Sequence, residues 1–521
     1  MKPFQARVNG KGLLFPLLML GLLITGAVGA TEAPDTGALG RGDNKPNVLI
    51  MVADDLGWAD MGYRGSAIET PALDSLAQEG VRLNRFYTAP ICSPTRAALM
   101  TGRDPLKLGV GYATIKPWHN YGVAPQEHFM PESFQAAGYQ TAMFGKWHLG
   151  HAYPELHPNQ RGFDYFFGHL LTSTDYFTHK NQGAPDLQRN GKTVDKTGQY
   201  GTDLIGEETV AWIKNRDKSQ PFFAYVPFTA PHLPLQAPEQ LVEKYGHIPN
   251  DSRRVYAAMV DAMDASIQQI LDTLEQEGIA DNTLVLFFSD NGGSKANAAS
   301  NAPYRGFKGE TFEGGIRVAA TLRWPDRLAG DKDFDQVITA TDLFPTLAAA
   351  TGVEINSSRP LDGKNLWTNL ETGVVAPRQD KLFFTSESPL LGRYYNAVLD
   401  GDWKLVQLVD HKLENITVKN MLFDLSKDPY EQTDLAASHP KKVAALAGDI
   451  HQWRTQHPAA GVRVELVPHP GWRAPKDWAQ STAAMGEVIN LERGAYGFYS
   501  KKAGLPRIDR MYGERGRLIY Q

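Results

Sequence analysis

The sequence predicts an α/β fold, in which a mostly parallel sheet is flanked by helices and followed by a smaller C-terminal α+β domain. Three short apolar runs, residues 47–53, 222–226 and 284–288, are each bounded by polar residues. Such runs are typical of strands that are buried on both faces of a parallel sheet. Segments with apolar residues at helical spacing lie between them, and strands that alternate with helices favour an open parallel sheet.

Local signals define the separate elements. Thr70 is a predicted helix cap, Pro71 fits the first helical position, and Gly80 ends that helix. Apolar residues at helical spacing predict a second helix over residues 252–278, and residues 140–143 form a candidate strand. Ligands of such sheets bind beyond the carboxyl ends of the strands, so the residues that follow each apolar run are the first candidates for a site.

The C-terminal part has a different pattern. Residues 394–408 predict a hairpin with its turn at Asp400–Gly401, residues 420–425 predict another strand, and residues 440–457 predict a helix. Strands followed by a helix are typical of an α+β domain. We therefore expect domains at residues 46–380 (large α/β), 381–457 (small α+β) and 458–521, an extension rich in Pro, Trp, Arg and Gly that we predict to be irregular.

The N-terminus has the pattern of an export signal. Basic residues precede an apolar run at residues 13–27, and small residues at 28–30 fit a cleavage site after Ala30. The alternative is an uncleaved membrane anchor, but the run is short for a spanning helix and contains Pro16. Residues 1–30 are thus a predicted signal peptide, and the mature protein is expected in the periplasm or secreted, with no stable membrane insertion.

Composition narrows the class of protein. The 521 residues are 42% hydrophobic and 21% charged with a net charge of −5, which is ordinary for a globular protein and unlike a nucleic-acid binder. The single cysteine, Cys92, excludes an intramolecular disulfide. A lone cysteine in an exported chain is either a buried small hydrophobic residue or a reactive group.

Two apolar runs are followed by oxygen-bearing side chains. Asp54 and Asp55 follow the first run, and Asp290 and Asn291 follow the run at 284–288. Carboxylate and amide oxygens suit a hard cation, calcium or magnesium, better than zinc or copper. The alternative is a pair of solvated turns, since Asp, Asn and Gly favour turns. The joint placement after two predicted buried strands favours the metal site.

Basic residues form a second set of candidates. Cys92 begins the segment CSPTRAALMTGR, where Pro94 fits the first turn of a helix and Ser93 is a candidate cap. A helix N-terminus favours an anion, and Arg96 adds positive charge beside it. Further candidates are Lys146 and His148 in FGKWHLGH, His232 after the run at 222–226, and Lys308 in RGFKGETFEGG. Each is ordinary alone, but together with a metal they indicate a site for a tetrahedral anionic ester.

These segments resemble the motifs of the type I, formylglycine-dependent sulfatases. CSPTRAALMTGR is similar to the first family motif, C-x-P-x-R with a TGR tail, and GYQTAMFGKWHLG at residues 138–150 is similar to the second. The resemblance extends over nearly the whole mature chain. It implies an alkaline-phosphatase-like α/β domain, a small domain with a four-stranded antiparallel sheet and one helix, and hydrolysis of sulfate monoesters.

The resemblance also implies residue roles. Cys92 matches the cysteine that a formylglycine-generating maturation enzyme converts to formylglycine, the catalytic nucleophile. The implied ligands of calcium, with magnesium as the alternative, are Asp54, Asp55, Cys92, Asp290 and Asn291. Among the other implied catalytic residues, Arg96 stabilises residue 92, Lys146 and Lys308 bind the sulfate, His148 lies beside the nucleophile, and His232 lies near the leaving oxygen.

Substrate identity rests on one segment. Residues 161–180, RGFDYFFGHLLTSTDYFTHK, most resemble the arylsulfatase B branch, which implies N-acetylgalactosamine 4-sulfate as substrate, with aryl sulfates cleaved in vitro. Asp175, Tyr176 and His179 are the predicted sugar-binding residues, and the alternative is a structural loop whose aromatic residues belong to the core. Two other functions stay open: a formylglycine-dependent phosphonate or phosphodiester hydrolase, and an inactive homologue that binds sulfated glycans.

Overall fold

The computed structural model describes residues 45–388, 393–410, 417–457, 468 and 471–480. The predicted signal peptide, 1–30, and most of the predicted extension, 458–521, lie outside these residues. The strands are β1 (Asn47–Ala53), β2 (Val81–Leu83), β3 (Phe86–Tyr87), β4 (Gln140–Lys146), β5 (Tyr165–His169), β6 (Lys180–Asn181), β7 (Ala184–Pro185), β8 (Gln188–Arg189), β9 (Lys192–Thr193), β10 (Phe222–Pro227), β11 (Thr283–Ser289), β12 (Ala320–Arg323), β13 (Lys332–Phe334), β14 (Ile338–Thr339), β15 (Leu382–Ser388), β16 (Arg393–Asp400), β17 (Trp403–Asp410) and β18 (Thr417–Asp424).

The α-helices of the same residues alternate with these strands in the first part of the chain. They are α1 (Pro71–Glu79), α2 (Cys92–Thr101), α3 (Met130–Ala136), α4 (Gly201–Asn215), α5 (Glu239–Lys244), α6 (Asp251–Gln276), α7 (Glu313–Ile316), α8 (Ala340–Thr351), α9 (Trp367–Thr372) and α10 (Pro440–Arg454). The helices predicted over 70–80 and 252–278 are α1 and α6, within two residues at each end.

The large sheet has ten strands in the order β13-β2-β12-β11-β1-β10-β4-β5-β8-β9. The five central strands, β11, β1, β10, β4 and β5, are mutually parallel, which confirms the predicted mostly parallel sheet. Antiparallel pairs flank them: β12 pairs with β11, and β8 pairs with β5. These short flanking strands were not predicted.

Helices cover both faces of the sheet. Residues of β1 alternate between two hydrophobic clusters, with Ile50 on one face and Leu49 on the other. Met100 of α2 belongs to the first cluster, and Ile267 of α6 belongs to the second. Because β1 is buried on both faces, its sequence after Asn47 is continuously apolar instead of alternating.

The small sheet is a separate antiparallel meander, β15-β16-β17-β18. Gly401, with a φ of 61°, makes the turn between β16 and β17, as predicted. Leu446 and Ile450 of α10 pack on Val398, Leu405 and Leu422 of this sheet. The predicted α+β organisation of the C-terminal part is therefore confirmed. In the described part of the chain, every helix is too short or too polar to cross a lipid bilayer.

Candidate active site

The candidate site lies at the carboxyl edge of the central parallel strands. The strand β1 lies between β10 and β11, in a register that pairs Ala53 with Ser289. The residues that follow, Asp54 and Asp290, are therefore brought side by side, and the Asp290 amide donates to the carbonyl of Ala53 at 2.9 Å. The Asp54 amide donates at 3.1 Å to the carbonyl of Ala230, beyond the end of β10. Parallel pairing thus assembles residues that are far apart in sequence.

Three carboxylates form the centre of the site. One oxygen each of Asp54, Asp55 and Asp290 lies within 4.8 Å of the others, and all three residues are buried. Asp55 has a φ of 69°, in the left-handed region of backbone conformation that residues other than glycine rarely adopt. Carboxylates this close repel one another unless positive charge lies among them.

Two buried oxygens of the cluster have no donor among the described residues: Oδ1 of Asp54 and Oδ1 of Asn291. The Asn291 amide nitrogen donates to Asp55 Oδ1 at 2.7 Å, which turns its oxygen away from that carboxylate. Buried oxygens without donors are rare in proteins, and a hard cation satisfies them. The donor set of Asp54, Asp55, Asp290 and Asn291 therefore fits calcium or magnesium.

Arg96 compensates part of the negative charge. Its guanidinium is 1% exposed and donates to Asp290 Oδ2 from Nε at 3.0 Å and from Nη2 at 2.8 Å. Nη1 donates to the carbonyl of Lys146 at 2.9 Å, and Nη2 lies 3.6 Å from Asp54 Oδ2. The same side chain thus ties α2 to the ends of β4 and β11.

Two lysines contact the other carboxylates. Lys146, fully buried at the end of β4, is ion-paired with Asp54 Oδ2. Lys308 reaches Asp55 Oδ1 at 2.6 Å, and its side chain is 18% exposed. The predicted lysines therefore both reach the acidic cluster, one from within the fold and one from the side that is open to solvent.

Cys92 is the first residue of α2, and its thiol is buried. The sulfur, a carboxylate oxygen of Asp54 and a ring nitrogen of His232 lie within 4.8 Å of one another. Ser93 does not cap the helix, contrary to the prediction: its hydroxyl donates to the carbonyl of His148 at 3.0 Å and accepts from the Ile115 amide at 3.2 Å. The residue after Cys92 thus joins three segments of the site.

Each of the two predicted histidines, His148 and His232, bonds a backbone carbonyl through one ring nitrogen. His148 Nε2 lies 2.9 Å from the carbonyl of Ile115, and its Nδ1 is buried with no partner among the described residues. His232 Nδ1 lies 2.7 Å from the carbonyl of Leu233, and its Nε2 is 3.8 Å from Asp55 Oδ2. Since a carbonyl accepts only from N–H, the other nitrogen of each neutral ring carries a lone pair.

Burial and neighbouring charges shift the pKa values of the site's titratable groups in different directions. Burial would raise the pKa of Asp54, but the charges of Lys146, His232, Arg96 and Lys308 lower it below its usual range. Burial and the neighbouring Asp54 charge raise the pKa of Asp290 to about 6. For His232, burial and then Lys308 lower the pKa to about 4. Such divergent environments within one cluster are typical of functional sites.

The three predicted sugar-binding side chains are engaged in internal contacts. The buried Tyr176 hydroxyl donates to the carbonyl of His232 at 2.9 Å. Asp175 accepts from two backbone amides and, at 2.7 Å, from Gln236 Nε2, and the buried His179 bonds the carbonyl of Lys196. This geometry favours the structural alternative for the segment, in which Tyr176 supports His232.

Two residues near the cluster were not predicted from the sequence. Asn297 donates to Asp55 Oδ2 at 3.3 Å and to the carbonyl of Pro231 at 3.0 Å. Lys116 follows Ile115, which bonds both Ser93 and His148. Burial lowers the pKa of Lys116, the Cys92 thiolate would raise it, and the charges of Lys308 and Lys146 lower it further. Neither residue belongs to a local motif, so only the folded chain identifies them.

Comparison with known proteins identifies the family. The sulfatase family model matches residues 46–353, and the chain therefore belongs to the sulfatase family. It is a sulfuric ester hydrolase with the α/β fold that the sequence resemblance implied.

The chain is similar to two named sulfatases and to one solved structure. Mouse arylsulfatase J is 32% identical over 467 residues, which cover 81% of this chain and 77% of that protein. Human N-acetylgalactosamine-6-sulfatase is 32% identical over 447 residues, 77% and 84% of the two chains. The crystal structure of Ps i-CgsB in complex with k-i-k-neocarrahexaose superposes with a TM-score of 0.72 at 32% identity, covering 83% of this chain and 95% of that one.

Proposed function

We propose that the protein is an exported, calcium-dependent sulfatase in which Cys92, converted to formylglycine by a maturation enzyme, is the catalytic nucleophile. The observation that carries this proposal is the position of Cys92, at a helix N-terminus and within 4.8 Å of Asp54 and His232. A thiol at such a place is adjacent to the metal-binding oxygens and to three cations, and the C-x-P-x-R sequence that begins at Cys92 is the family's maturation motif.

Calcium and formylglycine would each supply specific chemistry at this site. Calcium, held by Asp54, Asp55, Asp290 and Asn291 with residue 92, supplies positive charge that acidifies a neighbouring hydroxyl and polarises a sulfate ester. A formylglycine at position 92 supplies, as its hydrate, one hydroxyl to attack sulfur and a second one whose deprotonation releases sulfate.

The chain's own residues bind the sulfate and move protons. Arg96, Lys146 and Lys308 concentrate positive charge in a buried site, where it stabilises the charge that shifts onto the sulfuryl oxygens. His148, whose carbonyl accepts from the Ser93 hydroxyl next to position 92, has a lone pair on its unpartnered Nδ1 that is available to accept a proton.

The leaving alcohol requires a proton. His232 Nε2 and Lys308 Nζ both approach Asp55, the carboxylate nearest the open side of the site. We propose that one of these two groups donates that proton, either the Lys308 ammonium or His232 once its Nε2 has taken up a proton. Their different chemistry makes the assignment testable, because His232→Gln removes an imidazole whose pKa burial and Lys308 lower to about 4, whereas Lys308→Arg retains a positive charge.

A sulfated sugar is the proposed natural substrate, with N-acetylgalactosamine 4-sulfate as the leading candidate and aryl sulfates as artificial substrates. The names of the relatives support a sulfated sugar: one cleaves N-acetylgalactosamine 6-sulfate by name, and another was crystallised with a neocarrahexaose. The preference for the 4-position rests on the resemblance of residues 161–180 to the arylsulfatase B branch.

The testing experiment measures kcat/KM on 4- and 6-sulfated N-acetylgalactosamine, 6-sulfated glucosamine, an aryl sulfate, a phosphodiester and a phosphonate monoester. We expect sulfate esters to be cleaved fastest and the 4-sulfate to be the best sugar. Cys92→Ala should abolish every activity while the protein stays folded, since Cys92 is one small residue at the edge of the site. Faster turnover of the phosphodiester than of any sulfate would support the alternative hydrolase, and equal rates on all sulfated sugars would refute only the proposed substrate.

A further inference from the structure

A short C-terminal segment, residues 471–480, packs on the large α/β part of the chain through Trp478. Trp478 is buried, its indole nitrogen donates to the carbonyl of Asn181 at 3.0 Å, and its ring meets that of His151 edge-on at 5.4 Å. His151 in turn bonds the carbonyl of Pro117 at 3.1 Å. The predicted extension therefore has at least one ordered segment, and this segment packs near the loop that contains residues 115–121.

Aromatic rings from the two segments meet at Trp118, two residues after Lys116 in the sequence. Trp472 and Trp118 form an edge-to-face pair with ring centroids 6.1 Å apart, and both are only half-buried. His119 stacks on Tyr121 with centroids 4.8 Å apart. Half-buried indoles offer the apolar, flat surface that packs against the faces of sugar rings, while their edges donate hydrogen bonds.

Lys116 differs from the other cations of the site. Arg96, Lys146 and Lys308 each contact a carboxylate, whereas the Lys116 ammonium has neither a hydrogen bond nor an ion pair with any residue that the structure describes. It is half-buried and lies directly after Ile115, whose backbone bonds Ser93 and His148. An ammonium that has no carboxylate partner, beside cations that each have one, is available to bind an anion.

We propose that Lys116, Trp118 and Trp472 form a second subsite, which binds an additional anionic group, a sulfate or a carboxylate, on the glycan whose sulfate ester is cleaved at residue 92. This inference rests on the proposed function and narrows the substrate class from any sulfated sugar to a glycan with at least two anionic groups. The scissile sulfate is held by the cations that contact the acidic cluster, so Lys116 remains available to the second group.

The test compares four substrates that share the same scissile sulfate: a monosaccharide, a neutral disaccharide, a disaccharide with a second sulfate and a disaccharide with a carboxylate. The wild-type enzyme should show a kcat/KM at least about tenfold higher on a dianionic than on the neutral disaccharide, the effect of one charge-assisted hydrogen bond. Lys116→Gln should bring this ratio close to one, and Lys116→Arg should retain most of it. Lys332→Gln, which removes an exposed lysine on β13, is the matched control and should leave the ratio unchanged.

Binding provides a second readout. In the Cys92→Ala background, calorimetric titration with the disulfated disaccharide should show weaker binding when Lys116→Gln is added, and the difference should shrink at high salt because screening weakens the ion pair. Trp472→Ala should raise KM for the disaccharides more than KM for the aryl sulfate.

The outcomes separate this proposal from the proposed function. A wild-type enzyme that releases sulfate without preferring dianionic substrates, or a preference that survives in Lys116→Gln, would overturn the subsite alone. An enzyme that releases no sulfate from any of these substrates would overturn the proposed function as well. A preference confined to the second sulfate or to the carboxylate would support the subsite and identify its ligand.

Discussion

Replacement of Arg96 by alanine is the most informative perturbation of the site's internal support. The change removes two donors to Asp290 Oδ2, at 3.0 and 2.8 Å, and one donor to the carbonyl of Lys146, at 2.9 Å. It also removes a positive charge that lies 3.6 Å from Asp54. Both carboxylates are fully buried and would have to be stabilised by the remaining lysines and the proposed calcium.

The expected magnitude follows from this burial. Removing one partner of a buried ion pair destabilises a protein by about 3–5 kcal/mol, because the other charge stays buried. Loss of a preorganised cation at a reacting centre lowers kcat by roughly 10²–10³-fold. Arg82 offers a matched control, since it also contacts two carboxylates, Asp331 and Asp333 at 2.9 and 2.8 Å, but both partners are exposed. The change Arg82→Ala should therefore cost at most about 1 kcal/mol.

The assay combines urea unfolding followed by tryptophan fluorescence with aryl sulfate hydrolysis, for the wild type and both variants. The unfolding midpoint should fall markedly for Arg96→Ala and little for Arg82→Ala, and only the former should lose activity. If the two variants unfolded at the same urea concentration and had the same kcat, the argument that Arg96 stabilises the acidic cluster would be refuted.

Three other predictions concern the metal, pH and the support of His232. Asp290→Ala should lose calcium affinity and activity together, and a chelator should inactivate the wild type; normal turnover by metal-free enzyme would contradict this. Burial raises the pKa of Asp264 from 3.8 to about 7 although it accepts from the amides of Ala72 and Leu73. The native state therefore binds this proton more tightly than the unfolded chain, so stability should fall as pH rises from about 4 to about 7. Asp264→Asn should remove that part of the pH dependence of the melting temperature. Parallel curves of melting temperature against pH for the wild type and the variant would refute this prediction. Tyr176→Phe, which deletes the donor to the His232 carbonyl, should lower kcat on an aryl sulfate and a sugar sulfate by the same factor, whereas a loss limited to the sugar would restore the predicted sugar contact.

Local sequence signals were sufficient for the central elements. The strand β1 is apolar from Val48 to Ala53 because helices cover both faces of the sheet, and the helix α1 has Pro71 at its start and a Gly after its end. The motifs that contain Cys92 and Lys146 were sufficient to select both residues as site candidates. These features depend on residues that are close together along the chain, so the sequence alone indicates them.

Other features depend on contacts between distant segments and escaped prediction. The strand β12 pairs antiparallel with β11, which no periodicity in its four residues indicates. Ser93 is a common type of helix cap, but in the folded chain its hydroxyl bonds the backbone of Ile115 and His148 instead. Lys116 and Trp472 are 356 positions apart, and only the docking of Trp478 places their segments in one region.

The most direct test of the central claim is the mass of the peptide that contains residue 92, measured on active protein from a host with a formylglycine-generating enzyme. We predict an aldehyde in place of the Cys92 thiol, reactivity with a hydrazide probe, and specific activity in proportion to the converted fraction across preparations. Full sulfatase activity in protein whose residue 92 is entirely an unmodified thiol would contradict the account.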